Sequence, residues 1–374
     1  VTLSNPYPTG LNVASGSSLG AATLLGQDIS FYDRGNVTPY TAQWNLDIQR
    51  ELPAGLLIDA AYVGTRGLKL PLDRQVNQLP DADLALGNNL RTLVPNPFFG
   101  QIAGGSLAAA TVSRAQLLRP YPQYTAMTSA AAGWGSSSYH ALQVKVEKRY
   151  SKNLTMLASY TYSKMMDVGA GTFGGETLGG GGIQDWDNLG AERSPSTLDQ
   201  THRFIMNVVY SLPFFSKQSG FLGHVLGGWQ VGVIGSFYSG SPLGISSAVN
   251  GTFSQSGGQR PNWNGTDPGK SSPTLSQWFD TTVFSTPAAY AFGNTPRTFN
   301  SVRSDKTHNV DFSLHKNIRI NERLHMEARA EAFNLTNTPV FAPPGTSYGS
   351  NTFGVVSSQA NQPRVLQMAL KLLF

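Results

Sequence analysis

Three glycines in the middle of the chain have the spacing of a nucleotide-binding loop. Gly169, Gly171 and Gly174 match the pattern GxGxxG, in which glycine lets the backbone approach a pyrophosphate closely. That chemistry also requires a strand before the loop and a helix after it. These glycines lie instead in the low-complexity stretch GAGTFGGETLGGGG. We therefore predict no nucleotide site and no other cofactor.

A second spacing is that of a serine nucleophile. Gly16, Ser18 and Gly20 satisfy GxSxG, the turn that exposes the reactive hydroxyl in α/β-hydrolases. That turn must join a strand to a helix, and the surrounding NVASGSSLGAATLLG has the pattern of neither. We predict no catalytic residue, and we expect that the chain is not an enzyme.

A short acidic motif, DWDN, has side chains that suit a metal ion. Asp185, Asp187 and Asn188 offer the hard oxygen atoms that calcium prefers, but the motif lacks the central glycine and the distal glutamate of a calcium loop. A solvated loop is the favoured interpretation. The six histidines show no HxxxH spacing and no cysteine accompanies them, so a zinc site is not expected either.

The composition is unlike that of an ordinary soluble domain. Only 13% of the residues are charged, against about 25% in typical globular domains, whereas Gly and Tyr number 40 and 14. The net charge of +5 comes from basic and acidic residues mixed through the chain, so nucleic-acid binding is not expected. No window approaches the roughly 18 apolar residues of a membrane helix. The lack of cysteine fits a protein of the cell envelope.

Apolar and polar residues alternate with a period of two in nine segments. In SYHALQVKVEKRY, for example, Leu142, Val144 and Val146 alternate with polar residues, which places them on one face of a strand. The other segments are AQWNLDIQREL, GLLIDAAYVG, NLTMLASYTYSK, THRFIMNVVYSL, GGWQVGVIGSFYSG, THNVDFSLHKNI, ERLHMEARAEAFNL and RVLQMALKLLF. The pattern predicts an all-β fold of about nine long antiparallel strands, each long enough to cross a membrane at a tilt.

The connections between these strands alternate in length. RELPAG, RYSKN and NIRINER are short, and LPFFSKQSGFLGHVLGG is somewhat longer, whereas the stretches around 66–137, 167–199, 241–304 and 337–361 are long. Outer-membrane β-barrels have short periplasmic turns and long extracellular loops. Within the first long stretch, YPQYTAMTSA is predicted to form a hairpin arm with the start of the 138–150 strand.

The parity of the strands predicts a partial barrel. Bacterial barrels have an even number of strands and both ends in the periplasm, whereas these nine strands would begin outside the cell. We therefore expect residues 1–37 to be the remnant of an extracellular loop and residues 38–374 to be the C-terminal portion of a transmembrane β-barrel. By itself such a portion should form an open sheet with exposed edges or close into a smaller barrel.

An ordered series of segments resembles a known family. PYTAQWNLDIQRELPAGLLIDAAYVGTRG, SSYHALQVKVEKRYSKNLTMLASYTYSK, THRFIMNVVYSLPF, GGWQVGVIGSFYSG, ARAEAFNLTNTPVF and PRVLQMALKLLF are similar to TonB-dependent transporter-like outer-membrane proteins of the Oar-like group. The resemblance implies a barrel of about 22 strands with a plug in its lumen and uptake of a bulky solute with energy delivered through TonB. We expect the plug, the TonB-contacting segment, the signal peptide and the upstream strands of such proteins to be missing from this sequence, so that the chain alone could not perform energised transport.

Charged residues on the second face of the strands are predicted to face the lumen. The favoured interpretation is a solvated, ion-paired wall that contacts the plug, and a ligand pathway is the alternative. These residues are Gln143, Lys145, Glu147, Arg149, Asp311, His315, Arg323, His325, Glu327, Arg329 and Glu331.

Aromatic residues near the strand ends are predicted to form girdles at the membrane surfaces, where a ring lies partly in hydrocarbon. They are Tyr62, Tyr160, Tyr162, Tyr210, Trp229, Phe237 and Tyr238. Stacking on a sugar is the alternative role for an aromatic ring, and loop residues are the better candidates for such ligand contacts. These are Trp134, Trp186 and Trp263.

The chain ends on an aromatic residue that follows apolar residues at every second position. Leu366, Met368, Leu370, Leu372 and Phe374 are predicted to face lipid. By resemblance they also form the signal that the barrel-assembly machinery recognises in outer-membrane proteins.

Three functional hypotheses follow. The first is a barrel segment of a TonB-dependent transporter-like protein in the outer membrane of a diderm bacterium, with membrane lipid, the assembly machinery, TonB and an unidentified solute as partners. The alternative is a surface-exposed structural or adhesive barrel that binds polysaccharide or cells without transport. A secreted β-sandwich enzyme is the third, and it would be monomeric and folded without detergent.

Overall fold

The structure, a computed structural model, describes residues 2, 4–5, 7–8, 10, 18–151, 153–168, 172–173, 176–177, 182–215, 218, 220–321 and 324–374. Gly169, Gly171, Gly174 and Gly16 of the two motifs above, and Arg323, lie outside these residues. No helix in the described part of the chain is long and apolar enough to cross a membrane.

The described structure contains nine long strands and twelve short ones. The strands are β1 (Asp28–Tyr32), β2 (Tyr40–Leu52), β3 (Leu56–Gln75), β4 (Leu93–Pro95), β5 (Thr111–Ser113), β6 (Ala126–Ser151), β7 (Leu154–Asp167), β8 (Thr172–Phe173), β9 (Glu176–Thr177), β10 (Ser194–Pro195), β11 (His202–Ser211), β12 (Trp229–Tyr238), β13 (Pro242–Leu243), β14 (Ser246–Ser247), β15 (Asn262–Trp263), β16 (Phe284–Ser285), β17 (Phe299–Arg303), β18 (Thr307–Arg319), β19 (His325–Phe333), β20 (Ser347–Tyr348) and β21 (Val365–Leu373). The α-helices are α1 (Arg114–Leu117) and α2 (Gly220–Leu226). Turns of 3₁₀-helix cover Gly20–Ala22, Asp81–Arg91, Ser106–Ala108 and Leu189–Glu192.

The long strands form one antiparallel sheet in the order in which they occur along the chain, β2-β3-β6-β7-β11-β12-β18-β19-β21. This confirms the predicted all-β fold and its nine long strands. None of the short strands was predicted, and two of them join this sheet: β1 pairs in parallel with β6, and β10 pairs with β7. Among the described residues β2 and β21 have no second neighbour, so the sheet is open, which is the first of the two predicted outcomes.

Cross-strand register extends two distinct faces over all nine long strands. Leu142 lies opposite both Tyr62 and Tyr162, whereas Gln143 lies opposite Ala61 and Thr161. Directly paired residues project to the same side of a sheet. The side that carries Leu142 continues through even-numbered residues of β11, odd-numbered residues of β12 and even-numbered residues of β18 and β19 to Leu366, Met368, Leu370 and Leu372 of β21. We refer to this side as the apolar face and to the opposite side as the polar face.

β3 and β6 are much longer than the other strands, with 20 and 26 residues. Their distal halves pair from Leu68 opposite Ser136 to Gln75 opposite Thr128, with three shifts of register. The predicted loop at 66–137 is therefore wrong at both ends, because these ends are strand. The predicted arm is also different in detail, since residues 126–130 belong to β6 itself and pair with β3 and β1.

The long connections pack into a layer with its own hydrophobic clusters. The largest cluster is Ile245, Phe279, Val283, Phe284, Phe299 and Val302, and two smaller ones are Leu79, Leu84, Leu90 and Ala115, and Ile102, Leu107 and Val112. Backbone bonds join connections that are distant in sequence, such as Leu79 N to Ser254 O at 2.9 Å and Ala248 N to Tyr348 O at 2.8 Å. We call residues 76–125, 182–201, 239–306 and 334–364 the loop cap.

Candidate functional site

The polar face carries the charged residues that the alternation predicted to share one side. In β6, Glu147 lies 3.3 Å from Lys145 Nζ and 3.4 Å from Arg149 Nε. All three side chains retain contact with solvent. Gln143, on the same face, lies opposite Thr161 of β7.

A second polar cluster spans β18 and β19. His315 Nδ1 lies 3.4 Å from Glu327 Oε1, and the same carboxylate oxygen accepts a hydrogen bond from Arg329 Nε. Register places His315 opposite Arg329, Ser313 opposite Glu331 and Arg319 opposite His325. Asp311 accepts bonds from Asn309 and from the backbone of Asn334. The ten predicted residues that are described thus share one face, and their contact with a lumen stays a prediction.

Most of the predicted girdle residues lie on the apolar face near its two rims. Tyr62, Tyr160, Tyr162 and Phe237 lie towards the long connections, whereas Tyr210 and Trp229 lie beside the short ones. Along β11, the six steps from Phe204 to Tyr210 span about 20 Å. That spacing is comparable to the apolar band of a membrane barrel, which is about 25 Å tall.

Tyr238 does not fit the predicted girdle. It lies opposite Arg203 and Thr307, on the polar face, and the Arg203 guanidinium is 5.7 Å from its ring centroid. The reason is geometric, because Phe237 and Tyr238 are adjacent and consecutive side chains of a strand point to opposite sides.

Two histidines of the apolar face were not predicted. Tyr62 Oη and His140 Nδ1 are 2.8 Å apart, and so are Tyr160 Oη and His202 Nδ1. Each histidine stacks on its tyrosine, with ring centroids 6.2 Å apart. The signal was available, since His140 and His202 lie two residues before Leu142 and Phe204 and so share their face.

The last strand presents its even-numbered side chains beside small residues. Leu366, Met368 and Leu370 lie opposite Ala332, Ala330 and Ala328 of β19, and Leu372 lies opposite Met326. The four side chains and Phe374 are exposed. This geometry suits contact with lipid, and their role in assembly stays a prediction.

The three tryptophans proposed as loop contacts have different settings. Trp134 is exposed but lies within β6 rather than in a loop, and the Arg74 guanidinium covers its ring at 4.1 Å. Trp186 donates from Nε1 to Ser256 O at 3.0 Å, and Trp263 donates to Thr266 O at 2.5 Å. Trp263 also packs edge-on against Phe299 of the largest cluster. Both are half-buried, so they contribute to the packing of the loop cap.

The acidic motif gains a third carboxylate in the folded chain. Oxygen atoms of Asp81, Asp185 and Asp187 lie within 4.8 Å of one another. Asp185 accepts bonds from Gln78 Nε2 at 2.8 Å and from the backbone of Asp187 at 2.9 Å. Partial burial, followed by repulsion from Asp185 and then Asp187, raises the pKa of Asp81 to about 6. The sequence could not reveal this trio because Asp81 is distant along the chain.

Buried ion pairs connect the loop cap to the end of β7. Arg260 binds Glu192 through two parallel bonds of 2.6 and 2.8 Å. Arg297 pairs with Asp167 and donates from Nε to Glu192 O at 3.2 Å. Burial lowers the pKa of the Arg297 guanidinium, and its acidic partner Asp167 opposes that effect. Removing either charge of such a pair leaves the other uncompensated.

A third buried pair holds the connection after β12. Arg303 donates to Asp199 Oδ2 at 2.6 Å and to Gly240 O at 2.8 Å, and Asp199 Oδ1 accepts from the backbone of Met165 at 2.6 Å. A cavity of about 350 Å³ lies in the same region and is lined in part by Arg260, Arg297 and Gln259. None of these residues was predicted, because partners so far apart in sequence leave no local pattern.

A family model covers nearly the whole chain. The family model described as outer membrane beta barrel domain matches residues 1–367. A comparison with curated proteins finds no match.

Three solved outer-membrane proteins resemble the chain at low identity. The outer membrane transporter YddB from Escherichia coli is 9% identical with a TM-score of 0.45, and 93% of this chain covers 34% of that one. The ferric-catecholate import receptor Fiu from K12 E. coli is 12% identical with a TM-score of 0.39, and the match covers 93% of this chain and 30% of that one. The pyoverdine outer membrane receptor FpvA from Pseudomonas aeruginosa PAO1 is 10% identical with a TM-score of 0.39, and the match covers 90% of this chain and 30% of that one.

The chain spans about a third of the length of these solved structures. Because the family model extends over residues 1–367, the chain belongs to the outer membrane β-barrel domain family and is located in the outer membrane.

Proposed function

We propose that this chain forms part of the wall of a TonB-dependent transporter-like barrel that takes up a bulky solute. The observation that carries the proposal is the continuity of one apolar and one polar face across nine antiparallel strands. In this arrangement the apolar face contacts lipid and the polar face lines a wet lumen. The resemblance of the sequence to the Oar-like group supports the transport role.

The charged clusters of the polar face act in this proposal as a hydrated, ion-paired wall. Glu147 and Glu327 each contact two basic side chains, so charges of both signs are close together. Such a surface holds water and offers hydrogen bonds to a plug or a solute. The proposal includes no catalytic role.

The proposed topology places the loop cap outside the cell and the short turns in the periplasm. A solute-binding surface outside the cell needs a fixed shape. The buried ion pairs and hydrophobic clusters of the cap supply that rigidity. The edges of β2 and β21 require further strands, because unpaired backbone groups are costly in hydrocarbon. We propose that a longer protein supplies these strands, the plug and the contact with TonB.

Single cysteines on adjacent residues of β6 test the assignment of the faces. The chain contains no native cysteine. Lys145→Cys and Val144→Cys lie at the same depth but on opposite faces. We expect a water-soluble maleimide to label the first and spare the second in outer-membrane vesicles. Equal labelling of both sites, or labelling of the second alone, contradicts the proposal.

Sequencing the gene upstream of residue 1 distinguishes the transport role from the adhesive role. Energised uptake requires a plug and a segment that contacts TonB, and we expect both to be encoded upstream of residue 1. A frame that encodes neither contradicts the transport role. It supports instead an adhesive barrel whose loops bind polysaccharide or cells.

A further inference from the structure

The connection between β11 and β12 exposes a patch of large apolar side chains at the end of the sheet where the short turns lie, which we call the short-turn rim. Phe221 and Leu222 of α2 are 81% and 62% exposed. The patch consists of Phe214, Phe215, Phe221, Leu222, Val225 and Leu226. Clustered apolar residues of this kind on a protein surface mark a site of contact with another apolar body.

Side chains of the apolar face hold the C-terminal end of α2. Trp229 donates from Nε1 to Val225 O at 2.9 Å, and Lys316 Nζ donates to the same oxygen at 3.1 Å and also to Gly227 O. Trp229 and Lys316 are cross-strand partners, and the ammonium lies 5.1 Å from the indole centroid. Because both side chains project from the apolar face, they hold α2 on that side of the sheet.

A groove of about 490 Å³ follows on the same face. It begins at Trp229 and Lys316 and runs across β18, β19 and β21. Ala328 and Ala330 form a depression because their partners Met368 and Leu370 are much larger. The groove is open, mainly apolar and continuous with the surface to which α2 is attached.

We propose that α2 is an interfacial anchor whose exposed side chains lie among the acyl chains of the membrane leaflet next to the short-turn rim, and that a phospholipid acyl chain occupies the groove. The argument for lipid is continuity, since the patch and the groove extend the apolar face of a chain located in the outer membrane. The indole of Trp229 is suited to the boundary between hydrocarbon and headgroups. The inference rests on the proposed function, in which the apolar face contacts lipid.

Nitroxide labels on single cysteines measure the depth of α2 in outer-membrane vesicles. Leu222→Cys reports the helix, Leu370→Cys the sheet face and Leu93→Cys, in β4 of the loop cap, an aqueous reference. We expect the labels at 222 and 370 to collide more with oxygen than with a water-soluble nickel chelate, and the label at 93 to show the reverse. The ratio of oxygen collisions to nickel collisions should be several-fold higher for the label at 222 than for the label at 93.

The outcomes separate the two proposals. A label at 222 that is as accessible to nickel as the label at 93, with the label at 370 in lipid, overturns the anchor alone. A label at 370 in water overturns the lipid-facing assignment itself. In both cases heat-modifiable migration in gels confirms that the labelled chains are folded.

A separate experiment tests whether the side chains of Trp229 and Lys316 hold α2 in place. Trp229→Phe keeps an aromatic ring but removes the indole N–H group, and Lys316→Met keeps most of the length of the side chain and removes the charge. We expect the combined variant to shift the label at 222 towards the nickel chelate while the label at 370 is unchanged. An unchanged label at 222 contradicts the role of these two donors.

Discussion

At the residue scale, Glu192 is a buried charge on which several polar contacts of the loop cap converge. Its carboxylate binds Arg260 through two bonds and accepts from the backbone of Gln184, and its backbone carbonyl binds Arg297. We expect Glu192→Gln to destabilise the folded cap by about 3 kcal/mol, because the buried guanidinium of Arg260 loses its counter-charge. Cleavage of the cap by a protease should become about a hundredfold faster.

A solvated glutamate of the polar face provides the matched control for this prediction. Glu147 also contacts two basic side chains, but on an accessible surface. Exposed ion pairs contribute little to stability, so Glu147→Gln should leave proteolysis of the cap unchanged. Equal sensitivity of the two variants would show that burial does not distinguish the pairs.

Asp81 gives the loop cap a dependence on pH. Its pKa is raised from 3.8 to about 6 by partial burial and by the charges of Asp185 and Asp187. A carboxyl with a higher pKa in the folded state binds its proton more tightly when folded, so the cap gains stability as the pH falls from about 7 towards 4. We expect protease resistance to rise over this window. Asp81→Asn should remove that contribution, whereas the control Asp83→Asn should keep it. If the Asp81→Asn protein keeps the original pH response, Asp81 is not the source of the pH dependence.

Phe374 is predicted to act during assembly rather than in the folded sheet. It is 99% exposed, so its ring contributes little packing energy within the chain. We expect Phe374→Ala to reduce the amount of protein in the outer membrane, while the molecules that do assemble unfold at the same temperature. Phe374→Tyr keeps an aromatic terminus and should assemble normally. Normal assembly of the alanine variant would exclude a signal at this residue.

At the element scale, the turn between β2 and β3 carries a correctable strain. Ala54 and Gly55 both have a φ of +68°, and a side chain at such an angle costs about 1 kcal/mol. We expect Ala54→Gly to raise the free energy of unfolding by up to about 1 kcal/mol and Gly55→Ala to lower it by a similar amount. Urea-induced unfolding in detergent micelles measures both, and a loss of stability in Ala54→Gly contradicts the argument.

The strands could be predicted from the sequence because a strand with one wet and one apolar face has a local pattern. Leu142, Val144 and Val146 are enough to assign both faces of β6. The distal half of β6 could not be predicted, since AMTSAAAGWGSSS lacks alternation and is held by pairing with β3 and β1. The same limit applies to the cap, where Glu192 and Arg260 lie 68 residues apart.

At the scale of the whole molecule, the two edges of the sheet are its least protected part. β2 and β21 each pair with one strand among the described residues, whereas β11 pairs with two. Amide groups that bond to a neighbour exchange slowly with solvent deuterium. We expect the outward amides of β2 and β21 to exchange quickly when this chain is studied alone. In a barrel with additional strands they should be protected.

β11 is the internal control for that experiment, because its neighbours β7 and β12 both lie within the chain. Its amides should be protected in both forms. Equal protection of β2 and β11 in the isolated chain would indicate that the edges pair with each other or with a second copy, and the open sheet would be excluded.

Many contacts of the loop cap join residues that are far apart in the sequence, and this separation affects how the cap becomes ordered. Asp167 and Arg297 are 130 residues apart, and Gln184 and Gly293 are 109 apart, whereas three residues join β2 to β3. The entropy lost on closing a loop grows with the logarithm of its length, so the longest of these closures costs on the order of 3 kcal/mol more than the shortest. No single cap contact offsets that cost with much to spare. The cap therefore orders as one cooperative unit on a sheet whose hairpins are already paired, and its shape depends on all of its contacts forming together.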